Sequence, residues 1–366
     1  MIKKIIIAFC VALVALAIYT NVQHQKALQN SGKKVVYAVL PLSGGLSYVG
    51  QEAKKAIQAH MQSKNTSFNV VFIDSQSQAS TALTALLSKI RDEKAPLVMS
   101  ILTSATSAIL AGAPKDTFVF GNYITAIDPQ YKNYQLLTGE LNEVMHPIKD
   151  YLANSSIKKL AVVYIEDAFG LLEAKYLQKN IRDDQTITQI MPLSPKSLDT
   201  RIEALKLMKD KPDAICIVGI ATISYTNIIK SLKEQGYDGQ IIADYAFANP
   251  HVAKNLKENA QGIITVTAIT DTTAQLDAKN QKVKNNLAAA GLRAYTLPIQ
   301  IWDTLDVIQY SLDHNLPFTQ DTYTKMGKWN GISGTIIFPG NGHSLYPFVL
   351  AKYQDGQFIP VESEEK

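Results

Sequence analysis

From Lys33 onward the chain alternates short β-branched runs with longer amphipathic ones, and this rhythm restricts the fold more than any other feature of the sequence. "VVYAVL" leads through "PLSGGLS" into a segment where Val49, Ala53, Ile57 and Met61 recur on one helical face. "FNVVFID", ending at Asp74, precedes a stripe of Ala79, Ala82, Leu83, Leu86, Leu87 and Ile90, and "APLVMS" and "FVFGNYI" follow as strands three and four. Strands separated by whole helices cannot pair as hairpins. They lie parallel, with helices covering both faces of the sheet.

A second series opens near Gly139. It runs through a helical stretch to Tyr151, "KKLAVVYIE", a helix from Phe169, "TITQIM", a helix carrying Leu198, Ile202 and Leu205, "AICIVGI", a helix to Glu234, "QIIADY" and "GIITVTAI". The rhythm restarts once with no Pro/Gly-rich linker between the halves, which predicts two similar lobes rather than beads on a string. At 366 residues the chain is long enough for two cores. After Thr270 the pattern changes to a polar helix with Leu276 and Val283. "PIQIWDTLDVIQYSL" then carries an apolar stripe of Ile301, Trp302, Leu305, Ile308 and Leu312. A strand-rich tail closes the chain, with turn signals at Gly340-Asn341-Gly342 and Asp355-Gly356. The expected fold class is α/β, with parallel sheets flanked by helices.

Charge excludes one class of partner. The formal net charge is +4 with 19% charged residues and no basic block, so no nucleic-acid footprint is present. The N-terminus points to export: Lys3 and Lys4 precede an apolar run from Ile5 to Tyr19, and Ala15-Leu16-Ala17 offers a small-residue cleavage site. Fifteen residues rise only about 22 Å, short of a ~30 Å hydrocarbon core, which favours cleavage. The alternative is an uncleaved anchor, if the apolar helix lengthens past Tyr19. Cys10 follows bulky Phe9, where lipoprotein processing wants a small residue. The other cysteine, Cys216 in "DAICIVGI", reads as a small buried hydrophobe on a strand, so no internal disulfide can form in the exported body.

A search for catalytic chemistry finds little. No H-E-x-x-H, C-x-x-C, G-x-S-x-G or P-loop pattern occurs, and His24, His60, His146, His251, His314 and His343 are scattered. Neither a metal nor a cofactor is expected. Ser31 to Lys34 and Ser155 to Lys158 meet the loose S-x-x-K spacing, but S-D-N and K-T-G are missing and both matches precede strands. "SGGLSYVG" lacks the G-x-G-x-x-G spacing of a dinucleotide fingerprint. What remains is a set of hydroxyl- and aromatic-rich turns at strand carboxyl ends, where open α/β sheets bind ligands: Ser43 to Tyr48, Thr103 to Thr106, Tyr123 to Thr125, Asp167 to Phe169, and Asp244-Tyr245.

These residues together resemble the type I periplasmic solute-binding proteins, in particular the leucine-binding branch that serves ABC transporters. "LPLSGGLSYVGQEAKKAI" is similar to that family's opening strand, S-G loop and first helix. "DSQSQASTALTALLSKI" is similar to its second strand end and helix, "KKLAVVYIEDAFGLLEAKYLQ" to the strand opening its second lobe, and "GTIIFPGNGH" to its late crossover. The resemblance covers Lys33 to Val361. It implies two Rossmann-like lobes joined by three crossovers: residues 33–138 plus 271–334 as lobe one and 139–270 plus 335–366 as lobe two, after a signal peptide and linker in 1–32.

By the same resemblance, Ser104 matches the serine whose hydroxyl and neighbouring amides receive a ligand carboxylate. Thr125 matches a threonine contacting the ligand from the next turn, and Tyr123 stands where the family contributes a backbone carbonyl. Val49 occupies the place of an expected aromatic, with Tyr48 displaced by one, and Phe169 fills the position of a pocket tyrosine. Tyr245 falls where amino-acid binders pair a carboxylate with the ligand's ammonium, with Asp244 adjacent, and Thr106 completes the hydroxyl run. These residues also have plain structural readings: Ser104 or Thr106 as a helix cap, Tyr48 and Phe169 as packing aromatics, Asp244 and Tyr245 as a turn, Asp74 as a strand end, Asp303 as an internal hydrogen-bonding residue.

The expected function is a monomeric, non-enzymatic periplasmic receptor that captures a small polar organic solute, amino-acid-like, an amide or related, between two lobes for the membrane permease of an ABC transporter. The alternative is a regulator of envelope assembly on the same fold, docking onto a cell-wall synthase with its cleft unused. A secreted hydrolase using Ser104 is a third possibility, weakened by the absence of catalytic motifs.

Overall fold

A computed structural model describes residues 32–361, apart from 92, 125–126, 221–222 and 270–277. The N-terminal apolar run, with Cys10, and Thr125 lie outside the described residues.

The first series forms a five-stranded, wholly parallel sheet from β1 (Lys34–Leu40), β2 (Phe68–Asp74), β3 (Leu97–Ile101), β4 (Phe118–Asn122) and β5 (Tyr134–Leu136), in the order β2-β1-β3-β4-β5. β1 is buried on both faces, as a near-continuous run of Val, Tyr and Leu requires of a central parallel strand. Its connections are α1 (Ser47–Ser63), α2 (Ala79–Ile90) and α3 (Thr103–Gly112). α1 buries Val49, Ala53, Ala56 and Ile57, the face its periodicity predicts. It starts directly on the loop after β1, where a Cβ on Gly50 would stand 2.1 Å from the Pro41 carbonyl oxygen. α2 buries Ala82, Leu86 and Ile90, while Leu87 of the predicted stripe is exposed.

The second series forms a seven-stranded sheet from β6 (Lys159–Ile165), β7 (Thr186–Leu193), β8 (Ala214–Val218), β9 (Gln240–Ala243), β10 (Ile264–Thr267), β13 (Val349–Gln354) and β14 (Gln357–Pro360). Its order is β14-β13-β10-β9-β8-β6-β7, parallel from β10 to β7 and antiparallel at the β10-β13-β14 edge. The helices are α4 (Leu141–Asn154), α5 (Ala168–Asn180), α6 (Arg201–Met208), α7 (Ile223–Glu234) and α8 (Pro250–Leu256). Cys216 lies fully buried in β8, and burial pushes its thiol pKa up. One expectation fails here. Leu198, Ile202 and Leu205 are 73%, 65% and 60% exposed, because α6 turns Ala204 and Leu207 to the core instead.

The chain passes between the sheets three times: from β5 to α4, from β10 to α9 (Ala278–Ala289), and from β12 (Thr335–Ile337) to β13. β12 pairs with β11 (Lys328–Asn330), after α11 (Gln320–Met326), and bridges Leu345 through Ile337. α10 (Thr296–Asp313) returns to the first sheet and is buried almost all round from Thr296 to Ile308, so its polar residues need internal partners. Asp303 accepts from the Ile332 amide at 2.6 Å, Ser333 Oγ at 2.9 Å and Tyr346 Oη at 3.0 Å, pinning the third crossover. Asp306 binds His60 Nε2 at 2.7 Å and the Lys64 ammonium, and Thr304 takes a 2.8 Å bond from Asn122 Nδ2.

Candidate functional site

In each sheet the strand order reverses beside its first strand, between β1 and β3 in one and between β6 and β8 in the other. Such switch points leave a crevice at the strand carboxyl ends. Here the two crevices face each other around a cavity of about 240 Å³. Leu46 comes from the loop after β1, Leu102, Thr103 and Ser104 from the end of β3, and Tyr123 from the end of β4. The opposite wall is Asp167, Phe169 and Leu172 after β6, Ile220 after β8, and Tyr245 with Ala246 after β9.

Two lobe-one wall residues hold unusual backbones. Leu102 has φ 74° and Tyr123 φ 57°, conformations that cost a non-glycine side chain of order 1–3 kcal/mol. The Leu102 bend ends β3 and begins α3 with no side-chain cap, so the helix's amino end, with exposed Ser104, opens toward the cavity. That end carries partial positive charge and suits an anion. The Tyr123 amide is held by Gln300 Oε1 at 3.2 Å.

Aromatic rings narrow the space from both sides. Tyr245, only 4% exposed, packs edge-on to Tyr123 with centroids 4.8 Å apart, against Phe169 at 5.3 Å, and stacks on Phe348 at 6.3 Å. Burial holds the hydroxyls of Tyr123 and Tyr245 well above the usual tyrosine range, so both stay neutral donors.

Asp167 is the one carboxylate among the described lining residues, and both its oxygens are engaged. Oδ1 accepts from the Gly170 amide at 2.8 Å and Oδ2 from the Ile220 amide at 3.1 Å, tying the β6 and β8 loops together. These loops approach closely because Gly170 and Gly219 carry no Cβ. One added at Gly219 (φ 115°) would meet Ile165 at 2.9 Å.

Ser104, Tyr123, Phe169 and Tyr245 of the expected residues therefore share one cavity, and three do not. Thr106 sits one position past the first turn of α3 and faces its own sheet, giving its hydroxyl to Ser100 Oγ at 2.9 Å and the Leu102 carbonyl at 3.0 Å. Asp244, in the turn that follows β9, is fully buried and does not line the cavity. It accepts from the Gly219 amide at 2.7 Å, Tyr225 Oη at 2.9 Å and the Ala246 amide at 3.1 Å, beside the equally buried Glu173. Tyr48 lines a neighbouring, larger cavity of about 750 Å³. Asp74 closes the opening loop by accepting from the Ser43 amide at 3.1 Å and Ser43 Oγ at 2.7 Å. Leu102, Leu172, Ile220 and Ala246 lie outside the turns that the sequence singles out, because an apolar loop residue looks like any core residue.

A second polar cluster bridges the lobes. Glu52 of α1 accepts from Tyr295 Oη and, at 3.3 Å, from Asn249 Nδ2, and lies 3.2 Å from His251 Nε2.

With this geometry in place the chain can be compared with known proteins. Residues 38–308 match the periplasmic binding protein family, and the chain belongs to it. No curated protein sequence matches the chain. Among solved structures it is similar to LivJ, the branched-chain amino acid transporter substrate-binding protein of Streptococcus pneumoniae, in complex with isoleucine. That match has a TM-score of 0.77 at 17% identity and covers 90% of this chain and 99% of LivJ. A solute-binding protein of an ABC transporter from Rhodopseudomonas palustris, in complex with 3,4-dihydroxybenzoic acid, gives 0.78 at 17% identity over 90% and 96%. Another from R. palustris, in complex with benzoate, gives 0.74 at 15% identity over 90% and 96%. The fold is thus the two-lobed type I periplasmic binding protein fold.

Proposed function

We propose that the chain is an exported, non-enzymatic receptor that closes on a small organic acid with an aromatic or branched apolar body and presents it to an ABC permease. The observation that carries this reading is the asymmetry of the inner cavity. One end offers Ser104 and the amino end of α3, while the rest is apolar and aromatic. A carboxylate suits the first and a hydrocarbon body the second.

The geometry favours an acid without an amine. Tyr245 stands where an ammonium partner is expected, Asp244 is fully buried and does not line the cavity, and Asp167 is occupied by backbone amides. Among the described residues no histidine or lysine lines this cavity beside Ser104, which supports binding over hydrolysis. The pocket also favours a receptor over an envelope regulator, which would leave it unused. In this reading the lobes divide at residues 138/139, 270/271 and 334/335, Thr125 joins the ligand turn, and the protein works as a periplasmic monomer.

A thermal-shift and calorimetric series of aromatic and branched monocarboxylates tests it. Binding is expected, weakened about 10- to 100-fold by Ser104→Ala through loss of a bond to a charged group. A melting temperature unmoved by every acid, or acid binding indifferent to Ser104→Ala, would count against it.

A further inference from the structure

The inner cavity does not end the cleft. Leu46 lines both it and a second space of about 750 Å³, so the two compartments adjoin at this residue. The outer compartment has a different character. Lobe two contributes Lys196, Lys230 and His251 to it, with Thr226, Asn227 and Asn255 as neutral polar groups, and there is no carboxylate among the described lining residues. Glu52, which touches the lining residue His251, is buried and is also bonded to Asn249 and Tyr295. Lys196 and Lys230 form no ion pair among the described residues, and Lys230 is half-buried.

A compartment of one sign between low-dielectric walls concentrates potential and attracts an anion. We infer that the outer compartment is a second anion subsite, and that the receptor's ligand class is elongated diacids: one carboxylate at Ser104, an apolar body along the aromatic wall, and a second anionic group beyond Leu46 facing Lys196 and Lys230. This inference rests on the reading of the inner cavity as an acid site.

The test compares matched pairs by calorimetry on the purified protein: 3-phenylpropanoate against 3-(4-carboxyphenyl)propanoate, then aryl diacids of longer spacing. At least one diacid is expected to bind about tenfold tighter than its monoacid. Added salt should shrink the preference. The double variant Lys196→Ala/Lys230→Ala should abolish it while leaving monoacid affinity unchanged. If monoacids bind and no diacid binds tighter, the second subsite is refuted and the inner site stands. A diacid preference that survives the double variant removes the assignment to these lysines. If no acid of either kind binds, the inner reading fails and takes this one with it.

Discussion

The buried carboxyl pair behind the pocket wall makes a quantitative prediction about stability and pH. Burial pushes Asp244 from 3.8 up to about 7, although Glu173, the Gly219 and Ala246 amides and the Tyr225 hydroxyl pull the other way. Glu173 is raised well above its ordinary value, by burial first and then by the charge of Asp244. Two carboxylates this close and this dry persist only with a proton between them. The native state then keeps a proton that the unfolded chain releases near its ordinary carboxyl value. Native stability is therefore greatest at acid pH and falls as pH climbs toward the raised value, by about 1.4 kcal/mol per pH unit for each retained proton. For Asp244 alone, a carboxyl carried from 3.8 to about 7 represents about 4 kcal/mol lost on approaching neutrality. Glu173→Gln replaces one of the two raised carboxyls by a neutral amide and removes its proton uptake, while burial still raises Asp244, which keeps its bonds from the Gly219 and Ala246 amides and the Tyr225 hydroxyl. Urea unfolding of both proteins from about pH 5 to about pH 8 measures the effect. Asp303, raised to about 6, and His60, lowered by burial, titrate in both proteins and cancel in the difference. The wild type is expected to lose about 1 kcal/mol per pH unit more than the variant between about pH 5 and pH 7, and to be the less stable of the two at about pH 8. Parallel slopes, or a variant that loses stability faster, would refute the shared proton.

Two further outcomes follow from other contacts. Glu52→Ala removes bonds to Asn249 and His251 that join the lobes, so ligand release should quicken and affinity fall about 5- to 30-fold, from about 1–2 kcal/mol. Stopped-flow release at an unchanged rate would show that this cluster does not hold the closed form. Replacing Leu198, Ile202 and Leu205 together by Ser should change the unfolding free energy by less than about 1.5 kcal/mol, because all three face solvent. A loss of several kcal/mol by chemical denaturation would place them in a core.

The alternation of strands and helices was legible because a parallel strand buried on both faces must read as an unbroken apolar run, as in β1 and β8. What failed was the orientation of short elements. The sequence shows a stripe of Leu198, Ile202 and Leu205, yet the helix starts only at Arg201, and eight residues with two other buried anchors, Ala204 and Leu207, leave that stripe in solvent. β5, three residues long, gives too little pattern to detect. At the site, the hydroxyl-rich turn after β3 could be found because a strand end followed by a helix start is a ligand position wherever sheets open. Which neighbour faces the ligand could not be read. Thr106 and Asp244 are near Ser104 and Tyr245 in sequence but turn inward, Thr106 onto Ser100 of the preceding strand and Asp244 onto the Gly219 amide and Tyr225 hydroxyl from other segments, contacts that a linear reading does not show.

The central claim is that the cleft takes a carboxylate on an apolar body and has no partner for an amine. Titration calorimetry of two matched pairs, leucine with 4-methylpentanoate and phenylalanine with 3-phenylpropanoate, addresses it most directly. The deaminated acid is expected to bind tighter in both pairs, because an ammonium entering beside Tyr245 would lose its water and gain no counter-charge. Tighter binding of the amino acids would contradict the account and place a carboxylate in the pocket at the ligand's nitrogen.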